Sequence, residues 1–327
     1  MRQPAFWNRH PSQPGVMARL LSPLGYLYGQ ATKRRISQAP DLVPEVPVVC
    51  IGNINIGGVG KTPTVVAIAE LMSDRVVHVV SRGYGSSLTG PVRVDERTHS
   101  AAEVGDEPLL LSAFMPTWVS KKRELGVEAA ISDGAELVLL DDGFQNPSVK
   151  KSLSFVVADA YRGFGNGRVI PAGPLREPVA EGMSRADAVI IIGDDTGQRR
   201  FDATWSSEVT VPRFKAELAP LETGMDWQGL RVVAFAGIGL PEKFFVTLKD
   251  LGAEIVSSHA LDDHQALTDA LLKRLEMEAQ SLGAQLVTTE KDAVRLPPAF
   301  RAKVLAVPVR LKFSEPAAVK GLINSRL

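Results

Sequence analysis

The chain has 327 residues, 45% of them hydrophobic, with 37 basic side chains balanced by 37 acidic ones. That length and composition allow a sizeable core in one large domain or two ordinary ones. Zero formal net charge excludes the global basic field that advertises nucleic acid, and the single cysteine, Cys50, excludes an internal disulfide framework.

Residues 1–14 lack the apolar centre of a secretory signal, so no cleavable leader is expected. Residues 15–29, GVMARLLSPLGYLYG, are apolar, carry Tyr26 and Tyr28, and run into Lys33, Arg34 and Arg35. The run is shorter than the ~20 residues that span a bilayer, and Arg19 interrupts it. An apolar segment beside a basic cluster suits an anionic membrane interface, and equally a helix packed on the protein body. Pro23 and Gly25 are expected to break or kink any helix there.

The pattern from Pro47 onward alternates strand and helix. Pro47 to Ile51 reads as a buried strand, and the stretch VVCIGNINIGGVGKTP (Val48 to Pro63) as strand, glycine-rich loop and helix start. Such a loop aims backbone N–H groups at phosphate, and the helix N-terminus adds partial positive charge. Lys61 would reach the β- and γ-phosphates and Thr62 would set a hydroxyl on Mg²⁺. The usual spacing G-x-x-x-x-G-K-[ST] puts Asn55 where the first glycine stands. Asn tolerates left-handed backbone, so the loop reads as a variant P-loop rather than a structural turn. Cys50 fits as a buried strand cysteine.

A helix over 63–73 and a strand over Val76 to Ser81 follow. Arg82-Gly83-Tyr84-Gly85 then turns at a strand C-terminus, the end that lines the ligand crevice in open α/β sheets, which makes Arg82 and Tyr84 candidate phosphate or substrate contacts. Gly105-Asp106-Glu107-Pro108 reads as a helix start whose acids suit the helix dipole. Glu136 to Leu140 is an apolar strand closing on Asp141-Asp142-Gly143-Phe144, the pattern of a carboxylate set near nucleotide-bound Mg²⁺. Adjacent aspartates at a buried strand end repel unless a cation or hydrogen bonds compensate.

Ser154–Asp159 is the next strand, and Tyr161 to Pro178 a long irregular run rich in glycine and proline. With Arg162, Arg168 and Arg176 it reads as a binding loop for an anionic substrate. Residues 187–193 form another buried strand and 207–218 an exposed strand or ribbon. A fresh α/β run starts at Gly229, with helices Pro241–Leu251 and Ala266–Ser281 and strands Glu254–Ser257 and Ala284–Thr289, and with no P-loop of its own. Three segments are therefore expected: 1–40 associating with a membrane, 41–225 carrying the P-loop, and 226–327 as a C-terminal α/β lobe. A cleft between the lobes is the expected site. His264, beside Asp262 and Asp263, is either structural or tuned by those acids. Glu290-Lys291-Asp292 closes a strand toward the cleft or forms a salt-bridged turn.

Together these motifs resemble one family. They are Gly52-Asn53 with Gly57 to Pro63, Ser81 to Gly85, Gly105 to Pro108, Asp141 to Gln145, Phe164 to Gly167, Pro171 to Glu177, Asp263-His264 and Thr289 to Ala293. The family is the tetraacyldisaccharide 4'-kinases, the lipid A 4'-kinases of Gram-negative bacteria, and the match runs in order to about residue 296. The resemblance implies a two-lobed P-loop fold: a parallel sheet with helices on both faces plus a smaller α/β lobe. It implies ATP-dependent phosphorylation of the 4'-hydroxyl of an acylated disaccharide 1-phosphate lipid, by a monomer held peripherally at the cytoplasmic face of the inner membrane. Asn55, Ile56, Gly57, Gly58, Val59, Gly60, Lys61 and Thr62 would hold ATP, and the family does without the usual first glycine. Thr62, Asp141, Asp142 and Glu177 would serve Mg²⁺. Asp106 and His264 would form a catalytic dyad with Lys61 steadying the transferring phosphoryl group. Tyr84, Gln145 and Arg176 would touch substrate.

Two other classes stand against this. A nucleotide switch or metal-insertion GTPase would need an N-K-x-D motif, which the sequence lacks. A non-catalytic ATP-binding module would bind ATP and make no lipid product.

Overall fold

The run Val48–Gly52 (β1) has no polar alternation, and all five residues are buried, as strands covered on both faces must be. In the computed structural model, which describes residues 3–262 and 265–327, β1 sits in the middle of a nine-stranded sheet. The other strands before the second lobe are β2 (Val77–Ser81), β3 (Val92–Arg93), β4 (Thr117–Val119), β5 (Leu137–Asp141), β6 (Leu153–Asp159), β7 (Ala188–Ile192) and β8 (Arg213–Pro220). A four-stranded parallel sheet follows: β9 (Arg231–Ala236), β10 (Glu254–Ala260), β11 (Gln285–Thr289) and β12 (Val304–Val307), in the order β10-β9-β11-β12. The last strand, β13 (Val309–Phe313), returns to the first sheet, whose order is β13-β8-β7-β6-β1-β5-β2-β4-β3.

Pairing in the large sheet is parallel from β8 to β4, and only the edge strands β13 and β3 run antiparallel. The chain leaves β1 for β2 on one side and later reaches β6 on the other, so β1 lies at a switch in strand order. Open α/β sheets bind ligands at such a point. Helix Lys61–Leu71 covers one face with the C-terminal helix Pro316–Asn324, through Val65, Ile68, Val319 and Ile323. Helices Arg123–Ser132 and Asp195–Trp205 cover the other, through Val127, Ala130, Phe201 and Trp205. The smaller sheet is likewise flanked by helices Pro241–Asp250 and Asp269–Leu282.

The C-terminal lobe expected over 226–327 ends differently in the strand pairing. The ribbon expected at 207–218 is the parallel strand β8, and its open edge is covered by β13, which pairs Val309 with Pro220 through Phe313 with Ala216. Residues 309–327 therefore pack on the first sheet, and the second sheet closes at Val307.

Of the break or kink expected at Pro23 and Gly25, the break does not occur. One helix runs Val16–Ile36 with Pro23 inside it. Its buried face is made of small residues: Ala18, Gly25, Gly29 and Thr32. A side chain at Gly25 would put Cβ 2.7 Å from the Val169 carbonyl oxygen. Glycine there allows close packing on the 161–178 loop. Val16, Met17, Leu20, Leu24, Tyr26 and Leu27 on the same helix stay exposed. Among the described residues no helix is long and apolar enough to cross a membrane.

Candidate active site

The P-loop is shaped by two left-handed glycines, Gly57 (φ 101°) and Gly60 (φ 94°), the second being the N-cap of helix Lys61–Leu71. A Cβ on Gly60 would also fall 2.6 Å from Ile192 Cδ1, so both backbone and space require glycine. Asn55 is not left-handed. Its backbone forms an antiparallel bridge to Leu175, and its side-chain amide donates to the Gly163 carbonyl at 3.0 Å. The N–H of Ile56 donates to Pro174 O at 2.8 Å, and that of Arg176 to Ile54 O at 2.7 Å. The first half of the P-loop is thus pinned to the 161–178 loop by strand-like bonding, which is why an amide side chain replaces the usual glycine.

Lys61, largely buried, donates to Asn53 Oδ1 at 3.3 Å and lies 3.7 Å from Asp142 Oδ1. Thr62 is buried beside it in the first turn. Gly58 and Val59 complete the loop, with open space around Gly58.

Asp141 ends β5 in register with Ile51 of β1 and Ser81 of β2. Its Oδ2 accepts from Ser81 Oγ at 3.2 Å, and its buried Oδ1 has no hydrogen-bond partner among the described residues. Burial, then the Glu107 charge, push its carboxyl up to about 7, with Lys61 and Ser81 opposing and Asp142 adding to the rise. Asp142 behaves in the opposite way. It is the one non-glycine residue with positive φ (55°) among those described. Burial pushes its carboxyl up, but Lys61, Arg176 and Arg123 together pull it below the usual range. Arg176 grips it in a fork, 2.9 Å from Nη1 to Oδ1 and 3.3 Å from Nη2 to Oδ2.

Gln145 and Glu177 extend this network. Gln145 Nε2 donates to the Asn53 carbonyl at 2.7 Å and to Glu177 Oε1 at 2.9 Å, while its Oε1 accepts from Arg176 at 3.1 Å. The other oxygen of Glu177 is bridged to Arg185, whose guanidinium lies 4.3 Å over the Phe144 ring. Glu177 is therefore tied on both oxygens. The 161–178 run, expected as a long irregular binding loop, is held by bonds within itself and to its neighbours. Phe164 is fully buried against Phe201 and Trp205, and Asn166 bonds the backbone of Phe6 and Ala172.

Asp106 opens helix Asp106–Leu111 after Gly105 (φ 94°). Its Oδ2 lies 3.3 Å from Nε of Arg295, which belongs to the second lobe. Arg295 also bridges Asp292 at 3.2 Å, and Asp292 is fixed by the Gly237 N–H at 2.9 Å and Thr289 Oγ1 at 2.7 Å. The adjacent Glu107 pairs with Lys291 of that lobe at 3.4 Å, and Asp159 with Lys243 at 2.8 Å. Glu290, the other acid of that turn, pairs with Arg310 at 2.8 Å.

Of the residues expected from sequence, Lys61, Thr62, Asp141, Asp142, Gln145, Arg176 and Glu177 stand in one connected cluster. Asp106 reaches the same end of the sheet, since Asp141 feels the charges of both Lys61 and Glu107. Arg82 and Tyr84 are exposed, Tyr84 at 87%, on a turn packed against Gly105 and held by Lys121. Arg82 lies within electrostatic reach of Arg123, whose guanidinium donates to the Asp142 carbonyl. His264 and Asp263 lie outside the described residues. Sequence reasoning missed Asn53, Ser81, Glu107, Arg185 and Arg295 as partners. For Arg295 a signal existed: it sits three residues after Asp292, in the turn that follows helix Glu290–Ala293.

The donor set of Thr62 hydroxyl and Asp141 carboxylate, with its unpartnered buried oxygen, fits a hard divalent cation such as Mg²⁺.

Comparison with known proteins gives one answer. The family described as "Tetraacyldisaccharide-1-P 4'-kinase" matches residues 17–327. A protein named tetraacyldisaccharide 4'-kinase from Dinoroseobacter shibae is 57% identical over 328 residues, covering 99% of this chain and 97% of that one. One from a Jannaschia species is 58% identical over 317 residues, covering 96% of each. Among solved structures, LpxK from Aquifex aeolicus in complex with ATP superposes with TM-score 0.75 at 26% identity, covering 95% of this chain and 99% of that one.

Proposed function

The chain belongs to the tetraacyldisaccharide 4'-kinase family, and from that premise we propose how its residues divide the work. The activity is ATP-dependent phosphorylation of the 4'-hydroxyl of a tetraacyl glucosamine disaccharide 1-phosphate, a step of lipid A biosynthesis. The ATP held by the Aquifex relative supports ATP as the donor. The hydroxyl oxygen bonds to the γ-phosphorus, the bond from that phosphorus to the β,γ-bridging oxygen breaks, and ADP leaves.

The backbone of 55–60 cradles the phosphates at the positive end of helix Lys61–Leu71. Lys61 leaves its present partners, Asn53 and Asp142, to neutralise charge on the transferring group. Thr62 and Asp141 would hold Mg²⁺, which would supply charge neutralisation at the phosphates. Asp142 and Glu177 do not ligate directly in this reading, because Arg176 and Arg185 occupy them; they orient the cluster. Asp106 receives or orients the proton of the 4'-hydroxyl, with Arg295 steadying its carboxylate from the opposite lobe. His264 is assigned the support of that carboxylate on its Asp263-His264 motif alone.

The exposed apolar face of helix Val16–Ile36, ending in Arg34 and Arg35, supports interfacial binding at the cytoplasmic face of the inner membrane. An acylated acceptor sits in that interface, so the site works at the bilayer surface.

The observation that carries the catalytic assignment is geometric: Lys61 lies 3.7 Å from Asp142, Asp141 ends β5 beside it, and the helix opened by Asp106 packs on helix Lys61–Leu71. Incubation with labelled ATP and the disaccharide 1-phosphate tests it by formation of a bisphosphorylated lipid. Asp106→Asn lowers turnover by roughly 10²–10⁴-fold and leaves ATP affinity unchanged. Near-normal turnover in that variant would remove Asp106 from the chemistry.

A further inference from the structure

The loop Tyr161–Pro178 carries three arginines, and two have assigned partners. Arg176 grips Asp142, and Arg168 donates to Ser22 of the N-terminal helix at 3.0 Å. Arg162 has no such role. It stands between the P-loop, where it lines a small recess with Gly58 and Val59, and a cavity of about 230 Å³. The cavity is walled by residues 8–11 of the N-terminal arm, the turn after β6 and helix Asp195–Trp205.

Arg9 and Arg200 line the same cavity, and no acidic side chain does. None of the three guanidinium groups makes a hydrogen bond or ion pair with a described residue, and the neighbouring acids are committed elsewhere. Asp194 accepts from the Tyr161 hydroxyl at 2.8 Å, and Asp159 pairs with Lys243. Three like charges converging on one concavity repel, and an anion relieves that repulsion. The guanidinium fork matches phosphate oxygens. The floor is rigid and apolar: Phe201 and Trp205 are buried and locked against Phe164 by edge contacts of 5.6 and 5.1 Å between ring centres. The cavity also borders the membrane-facing element. Arg9 packs on Gly15, the N-cap of helix Val16–Ile36, where a Cβ would fall 2.5 Å from the guanidinium.

We infer that Arg9, Arg162 and Arg200 form a second anion subsite, apart from the P-loop, that takes a phosphate group carried by a lipid at the membrane surface. Two sources share that chemistry: the 1-phosphate of the disaccharide acceptor and the phosphate of an anionic phospholipid. The inference rests on the acceptor and membrane surface proposed above.

The test uses the full chain with Arg9→Gln, Arg162→Gln and Arg200→Gln, singly and together, each checked by thermal melting against the parent. Two readouts separate the sources. If the 1-phosphate is the ligand, KM for the 1-phosphorylated acceptor rises roughly tenfold per arginine removed, while KM for an acceptor lacking that phosphate stays put. If a phospholipid is the ligand, binding to vesicles of phosphatidylcholine with phosphatidylglycerol weakens. Binding to phosphatidylcholine alone, and KM for both acceptors in detergent, do not change. Lysine at the same positions restores part of either effect. Unchanged values throughout, or a rise in KM for ATP alone, overturn the inference. Vesicle binding is read without turnover, so a parent protein that made no lipid product would sink the kinase reading and leave that readout standing.

Discussion

Asp141→Asn should stabilise the metal-free protein at high pH while abolishing its response to Mg²⁺. Asp141 is fully buried at the end of β5, and burial together with Glu107 lifts its carboxyl to about 7. An unfolded aspartate titrates near ~3.9. The folded state therefore holds the proton more tightly, stability falls as pH rises between those two values, and the full cost is present above pH ~7. At about 1.36 kcal/mol per pKa unit that cost is roughly 4 kcal/mol. The asparagine carbonyl keeps the Ser81 bond, but its NH₂ then occupies the place of Oδ1, which has no partner among the described residues; that costs about 1–3 kcal/mol. The expected net gain at pH ~8 is about 1–3 kcal/mol. At pH ~5 the relief shrinks to roughly a third of its full value, and the variant is level with the parent or below it. The difference between the two pH values, of the order of a few kcal/mol, does not contain the amide cost and is the cleaner quantity. Denaturant unfolding in EDTA at both pH values measures it. Adding Mg²⁺ with ATP should then stabilise the parent and not the variant. An equal stability difference at both pH values would refute the electrostatic argument.

Glu107→Gln removes the second largest cause of the Asp141 rise and the cross-lobe pair to Lys291. In that background the pH dependence of the Asp141→Asn effect should shrink, read from the same unfolding curves. Gly25→Ala should destabilise by about 1–3 kcal/mol, because a Cβ 2.7 Å from Val169 O outweighs the ~1 kcal/mol helix preference of alanine. A rise in melting temperature would contradict the close packing. Leu20→Glu, Leu24→Glu and Leu27→Glu lie on the exposed face and should each move stability by less than ~0.5 kcal/mol. Combined, they should release the protein from anionic vesicles in a sedimentation assay, and persistent binding would remove this helix as the anchor.

The central strands and the phosphate loop were legible because they are local. The apolar run of β1, glycines forced to positive φ at Gly57 and Gly60, and a strand ending in Asp141 each follow from a few adjacent residues. Elsewhere tertiary contacts overrode local expectation. Pro23 stands inside a continuous helix, which Gly25 and Gly29 let pack closely on the 161–178 loop. Asn55 looked like a defect in the glycine spacing. It is explained by Leu175 and Gly163, more than a hundred residues away, which no local pattern reveals. The return of β13 to the first sheet depends on β8 offering an unpaired edge.

The residues that escaped the sequence reading share one property: each acts through a partner on another element. Periodicity reports which face of an element is buried, not which surface it meets. Arg295 is the plainest case. Of the four cross-lobe ion pairs among the described residues, those of Glu107 with Lys291, Asp159 with Lys243 and Glu290 with Arg310 each leave a cation partly exposed, at 24%, 53% and 19%. Pairs so exposed contribute little. The Asp106–Arg295 pair is the most enclosed, at 13% and 10% exposed, and breaking a buried pair from one side leaves a charge without compensation. Among the described residues the most enclosed ion pair between the lobes is therefore the one made by the proposed proton acceptor. Lobe packing and the orientation of that carboxylate are then a single variable, and a change that loosens the second lobe alters the chemistry before it unfolds the protein.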